Sequence, residues 1–286
     1  MQSNATFDDF REFYSHRWAL NYGDTAEKET PEFWNDRSAD FAAKAHSPEA
    51  RAETLEFLKQ FAWSNDETVL DVAAGPGTFA IPLARVVKKV TATDFSKGMI
   101  EELKKRAIAE NVNNISVIEG RWLDLKLPET FSTVLCLNSL GVISTDENHE
   151  SQLIEALKKL RDACSERLIM LIPHADSPLD AQLRKNIGIE EIPIERRRIA
   201  ILYYAMIDCG MLPSLNIINR PFRWIFKNPL EARETLLKKA GVTDPDKAAT
   251  AAPKIDTYLQ TAMKRDSDGR FTLAYNVSQA LYTWHR

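Results

Sequence analysis

The sequence lacks most of the features that would place it in a special class. It has only three cysteines, Cys136, Cys164 and Cys209, odd in number and far apart. No CxxC or Cys/His spacing occurs, so no zinc site or other metal centre is indicated. Buried free thiols in a reducing compartment are the expectation instead. No stretch approaches the roughly 18 apolar residues that a membrane span requires. The start, MQSNATFDDFREFYSHRW, lacks a basic segment followed by an apolar one, so no signal peptide is expected. Together these absences suggest a cytoplasmic protein with no membrane partner. A basic excess is missing too. The formal net charge is −4, and a polyanion needs a basic field to bind, so nucleic acid is disfavoured as a partner.

What is present is an ordinary globular composition. With 44% hydrophobic and 27% charged residues over 286 positions, the chain can bury a sizeable core. Residues 1–60 read as helical, with aromatics at helical spacings (Phe7, Phe10, Phe13, Tyr14, then Phe33, Trp34 and Phe41) and helix starts at Pro31 and at Ser47-Pro48. From Glu67 the pattern changes. TVLDVA and RLIMLIP read as buried strands and KVTATD, ISVIEG and STVLCLN as further strands, separated by the helices FAIPLARVV, SKGMIEELKKRAIAE and ESQLIEALKKLRDAC. Ser96 is a natural N-cap for the second of these. Apolar strands alternating with helices imply a parallel sheet covered on both faces.

Residues 174–215 break the rhythm with two expected helices. NIINRPFRWIF then reads as an edge strand, because Pro221 cannot donate to a central ladder. The helix PLEARETLLKKAG, a further helix around 250–264 and a strand-like RFTLAYNVSQALYTWHR complete the chain.

The stretch VLDVAAGPGTFAIPLA, residues 69–84, carries the functional argument. A strand, a glycine turn and a helix make the ligand crevice of doubly wound folds: the helix start offers free N–H groups and the glycines admit a ligand to the backbone. A P-loop would need GxxxxGK[ST], which is absent. A dinucleotide fingerprint GxGxxG fails at its third glycine, and Asp71 inside the strand would repel a pyrophosphate. An acid there suits a ligand with a positive group.

At this point the stretch resembles the first motif, hhDhGxGxG, of the class I S-adenosylmethionine-dependent methyltransferases. Asp71, Gly75 and Gly77 match it, and Ala73 stands at a glycine position. VTATDFSKGMI resembles the second motif: Asp94 would accept from the ribose hydroxyls, Phe95 follows it, and Met99 would pack near the adenine. In IEGRWLDLKLP, Arg121 and Trp122 occupy the places where the family often carries an acid, with Trp122 positioned to cover the adenine face and Asp124 to take the polar contact. LCLNSLGVI brings Asn138 to the sheet's carboxyl edge.

The resemblance therefore implies a doubly wound, Rossmann-like α/β fold with a seven-stranded methyltransferase sheet, comprising a helical cap over 1–60 and a methyltransferase domain over 61–286 with a helical insertion at 174–215. It implies S-adenosylmethionine as cofactor and S-adenosylhomocysteine as product. The expected acceptor is a small molecule held between cap and insertion. His174, after the fifth strand, and Tyr14, in the cap, are the candidate catalytic residues. Protein or RNA as acceptor, and a non-catalytic cofactor sensor, are the alternatives. The aromatic N-terminal helices can pair with a second subunit, making a homodimer, as readily as fold over their own site.

Overall fold

The first strand, β1 (Thr68–Val72), is buried along nearly its whole length, as its unbroken apolar run requires. It lies between β2 (Lys89–Asp94) and β4 (Phe131–Leu137), parallel to both, and β3 (Ile115–Glu119) adds in parallel outside β2. On the other side β5 (Cys164–Pro173) pairs in parallel with β4. The structure is a computed structural model, and it describes residue 18 and residues 30–146, 151–173, 185, 198–240, 242, 244–266 and 269–286. With β6 (Ser214–Phe226) and β8 (Phe271–His285) the strand order is β3-β2-β1-β4-β5-β8-β6, and a short β7 (Met263–Arg265) pairs antiparallel with β8. The seven-stranded doubly wound order is thus present with one strand more than the sequence suggested. The strand containing Pro221 lies at the end of the order, as its missing donor demands.

Nine helices are described. The first two, α1 (Pro31–Ala45) and α2 (Pro48–Leu58), start where proline follows a hydroxyl cap: Thr30 Oγ1 accepts from Phe33 N–H at 3.2 Å and Ser47 Oγ from Ala50 N–H at 3.2 Å. α3 (Ala80–Leu83) follows β1, and α4 (Lys97–Ala109) follows β2 with Ser96 as its cap. After β4 come α5 (Leu140–Ile143) and α6 (Leu153–Ala163). α3 is far shorter than FAIPLARVV suggests. Pro82 has no N–H to continue the ladder, and Arg85 and Val86 close back onto Pro82 and Leu83 in three-residue turns. α6 sets Leu153, Ile154, Ala156, Leu157, Leu160 and Ala163 into the core, a stripe at helical spacing in which each buried leucine contributes about 1.5–3 kcal/mol.

The described residues divide into two packed units. One is drawn from Met1–Ile172, Ala200–Leu215 and Leu281–Arg286, and includes α7 (Arg198–Asp208) for most of its length. The other is drawn from Pro173–Ile199 and Asn216–Ala280. It has its own core, in which α8 (Pro229–Lys239) and α9 (Pro245–Ala262) bury Leu236, Ile255 and Leu259 with Phe226 and Leu273. Among the described residues no helix is long and apolar enough to cross a membrane.

Candidate cofactor site

The backbone leaving β1 turns through three left-handed residues: Ala73 at φ +54°, Gly75 at +56° and Gly77 at +84°. At Gly77 a Cβ would also lie 3.0 Å from both Ile81 Cδ1 and Leu103 Cγ, so packing as well as dihedral excludes a side chain. At Gly75 a Cβ would meet nothing within 4 Å, and the backbone there has an open side. Ala73 adopts the glycine conformation at a cost of about 1–2 kcal/mol, offset in part by its smaller unfolded-state entropy. We expect Ala73→Gly to stabilise the protein by about 0.5–1 kcal/mol and to bind cofactor at least as tightly. Thermal melts and calorimetry check this, and a lowered melting temperature would refute the strain.

Two carboxylates flank the turn. Asp94 ends β2 and is almost wholly buried. Its Oδ2 accepts from Gly75 N–H at 2.8 Å and its Oδ1 from Ser96 N–H at 2.8 Å, which leaves a lone pair on each oxygen for a ligand hydroxyl. Burial raises its pKa, opposed by the Ser96, Gly75 and Phe95 N–H groups. Asp71, inside β1, is 2% exposed, and its Oδ2 has no hydrogen-bond partner among the described residues. Burial, and secondarily the Asp94 charge, push its pKa up to about 7, against the Ala80 N–H.

Beside this turn lies a cavity of about 240 Å³ at the carboxyl ends of the central strands. Its walls are Ala73, then Thr93, Asp94 and Phe95, then Gly120 to Asp124, and finally Val142, Ile143, Thr145 and Asp146. Of the residues singled out by sequence, Ala73, Asp94, Phe95, Arg121 and Trp122 meet there, together with Asp124. Asp71 and Met99 are buried and do not line it, and Met99 belongs to the packed face of α4. Gly75 and Gly77 shape the turn rather than the wall. Asn138 takes φ +62° as the chain leaves β4, donates its N–H to Leu171 O at 2.7 Å, and is exposed away from this wall.

Arg121 holds its guanidinium 5.7 Å from the Phe95 ring centroid. Trp122 is 4% exposed, with its indole N–H donating to Ala156 O at 3.4 Å and the Lys159 ammonium 5.0 Å from its ring. Thr145 and Asp146, whose Oδ2 accepts from Gln152 Nε2 at 2.9 Å, were not legible in sequence. They follow a four-residue helix with no periodic signal, and the fold alone brings them opposite Gly120.

The N-terminal part of the chain is fastened around the same edge. Asn35 Oδ1 in α1 accepts from Ser96 Oγ at 2.8 Å and from Gly98 N–H at 2.9 Å. A Cβ on Gly98 would lie 2.8 Å from Ser38 Oγ and 3.1 Å from Asn35 Cα, so that glycine permits the close approach of α1 to α4. His46, the C-cap of α1, bonds Pro76 O through Nε2 at 3.0 Å, so that nitrogen carries the proton. Trp18 is 1% exposed and donates its indole N–H to Ser144 Oγ at 2.8 Å. The turns following β1, β2 and α5 are each held by one N-terminal residue.

The candidate catalytic residues His174 and Tyr14 lie outside the described residues. All three cysteines are buried and free, and burial pushes Cys136 up to about 12 and Cys164 and Cys209 up to about 11. They stay thiols at neutral pH and offer no nucleophile.

A doubly wound sheet with an open glycine turn and a carboxylate ending the second strand defines a nucleoside-cofactor-binding α/β protein. The particular family follows from comparison with known proteins. Residues 69–163 match the family described as "Methyltransferase domain". An uncharacterised protein of Haemophilus influenzae is 31% identical over 111 residues, 38% of this chain and 41% of that one. A 23S rRNA (uracil(1939)-C(5))-methyltransferase of Pseudomonas fluorescens is 30% identical over 118 residues, 41% of this chain and 24% of that one. A solved structure of a putative methyltransferase from Bacillus halodurans aligns at TM-score 0.52 and 14% identity over 82% of this chain and 98% of that one, a likeness of fold. The chain spans less than half the length of these curated relatives. Residues 69–163 are thus similar to the methyltransferase domain, and the likeness of fold is that of the S-adenosylmethionine-dependent methyltransferases.

The residues present fit that cofactor. Asp71 Oδ2 is an orphaned buried acceptor suited to a cation, Asp94 has lone pairs for two hydroxyls, and Gly75 leaves room for close approach.

Proposed function

We propose that the protein transfers the methyl group of S-adenosylmethionine to a small-molecule acceptor. The observation that carries this reading is the Asp71–Asp94 pair around the open Gly75 turn, one carboxylate unpartnered for a cation and one preorganised for vicinal hydroxyls. Bound S-adenosylmethionine supplies a methyl group already activated on a sulfonium centre. The work left to the chain is to bind and orient: Asp94, held by two backbone donors, fixes the ribose, and the 120–124 loop and Phe95 enclose the base. α1, fastened at Ser96, Gly98 and Pro76, braces the turn. Alignment of acceptor, methyl and sulfur with water excluded supplies several kcal/mol. A general base is required only for an acceptor protonated at neutral pH.

A small acceptor is favoured over RNA by charge. The cavity walls carry Asp94, Asp124 and Asp146 against Arg121, and the whole chain is acidic at −4. The rRNA-modifying relative shares only 24% of its length with this chain. The test is methyl transfer from labelled S-adenosylmethionine to a fractionated cell extract. Label is expected in the small-molecule fraction. Label confined to RNA or protein would overturn the acceptor class, and tight binding with no label anywhere would make the protein a cofactor sensor.

The Asp71 carboxyl adds a pH dependence. In the cofactor-free protein it titrates near 7, and a neighbouring sulfonium or ammonium favours its charged form. Binding therefore releases a proton, and Kd should fall about tenfold from pH 6 to pH 8. The sign for folding is opposite. Because the folded pKa lies above the ordinary carboxylate value, this group's contribution to apo-protein stability declines as pH rises from about 4 through 7. Calorimetry in two buffers of unlike ionisation enthalpy measures the released proton, and a pH-independent Kd would remove Asp71 from the cation site.

A further inference from the structure

Five of the residues lining the cavity are consecutive, Gly120 to Asp124, and nothing in the local sequence gives that segment a fixed shape. It is neither helix nor strand: it leaves β3 through Gly120 at φ +150° and folds into a turn in which Asp124 and Leu125 N–H both donate to Arg121 O at 3.1 Å. The turn satisfies those donors but leaves the carbonyls of the following residues without regular partners.

One side chain collects them. Lys159, on α6, donates from its ammonium to Trp122 O, to Leu123 O at 2.9 Å and to Leu125 O at 2.5 Å. A lysine ammonium has three N–H donors, so these bonds saturate it. The same nitrogen lies 5.0 Å from the Trp122 ring centroid, and one helical turn earlier Ala156 O accepts the Trp122 indole N–H. α6 thus holds the loop by main chain and side chain together. Partial burial lowers the Lys159 pKa and the Asp124 carboxylate opposes the shift. Lys159 is not among the residues lining the cavity, so it acts on a ligand only through the loop.

We propose that Lys159 is a positioning residue for the cofactor: its ammonium gathers the carbonyls of Trp122, Leu123 and Leu125 and thereby sets the wall formed by Arg121, Trp122 and Asp124. This rests on the reading of the cavity as the S-adenosylmethionine site. Without the ammonium, three carbonyls lose a charge-assisted donor and turn toward water. Arg121 and Asp124 then move with their backbone. Displacement of binding groups by about 1 Å is worth up to roughly a hundredfold.

The experiment is calorimetric titration of S-adenosylhomocysteine into wild type, Lys159→Ala, Lys159→Met and Asp94→Ala, each with circular dichroism and a thermal melt. Both Lys159 variants are expected to bind roughly ten- to a hundredfold more weakly while remaining folded. Propylammonium chloride, which restores a cation in the space left by Lys159→Ala, is expected to recover affinity in that variant. It should do nothing for Lys159→Met, where the space is filled, and propanol should not substitute for it. A merely structural loss would not respond to the cation. If Asp94→Ala loses affinity while both Lys159 variants bind as wild type, or if propanol rescues as well as propylammonium, the positioning role is overturned and the site reading stands. If wild type does not bind, or Asp94→Ala binds unchanged, the site reading itself fails and the proposal with it.

Discussion

Asp94→Ala is expected to bind S-adenosylmethionine about ten- to a thousandfold more weakly than wild type. Hydrogen bonds to a charged group are worth roughly 1.5–3 kcal/mol each, and each 1.4 kcal/mol is about tenfold in affinity. Asp94 serves the ligand in a second way, since it accepts from Gly75 N–H and Ser96 N–H and so joins the glycine turn to the start of α4. Alanine removes both functions. Asparagine separates them: its carbonyl oxygen can keep one backbone donor, but its amide nitrogen faces the other donor and cannot accept. Asp94→Asn should therefore hold more of the fold's stability than alanine while recovering little affinity. Calorimetry gives the Kd and thermal melts give the stability. A folded Asp94→Ala protein with wild-type affinity would show that the ligand lies elsewhere.

How much of this was legible in the sequence depended on how local the cause is. β1, β2, β4 and β5 are legible as apolar runs because most of their residues are buried, whereas β3, at the end of the strand order, is only partly buried. Ser96 was readable as a cap, because capping involves residues three apart. The left-handed turn was marked by Gly75 and Gly77, although Ala73 shows that a motif position can impose the conformation without the glycine that suits it. The apolar run FAIPLARVV suggests a longer helix than forms, because Pro82 stands inside it and the helix after β1 closes after four residues. Met99 fits either a base contact or a packed helix face in sequence, and in the structure it is buried together with Ile100 and Leu103. Thr145, Asp146 and Lys159 could not be found. Their roles come from groups far away in the chain, and Lys159 is one of several lysines on an amphipathic helix until three carbonyls are seen to converge on it.

The amino-terminal edge of the sheet holds a buried ion pair that is costly to break. Glu67, just before β1, is 8% exposed, and its Oε1 accepts from Arg167 at 2.7 Å and from the Thr133 hydroxyl, while Oε2 accepts from Ser64 N–H at 3.2 Å. Arg167 in β5 also donates through Nε to Thr133 Oγ1 at 2.7 Å, and its guanidinium lies 4.6 Å from the Trp63 ring centroid. Thr133 and Arg167 are register partners, so one ion pair ties β1, β4 and β5 together. Arg167→Ala leaves a buried carboxylate without its cation and should destabilise the protein by about 3–5 kcal/mol. The double variant Glu67→Met/Arg167→Met removes both charges and keeps the volume, so it should recover most of that loss, since a buried pair and an apolar replacement are often close in energy. Urea unfolding of the two variants measures the difference. Because the cluster sits at the opposite strand ends from the Gly75 turn, the Kd for S-adenosylmethionine should be the same in the double variant as in wild type. If Arg167→Ala costs under about 1 kcal/mol, the pair is solvent-screened like a surface bridge and the sheet is held by its apolar faces alone.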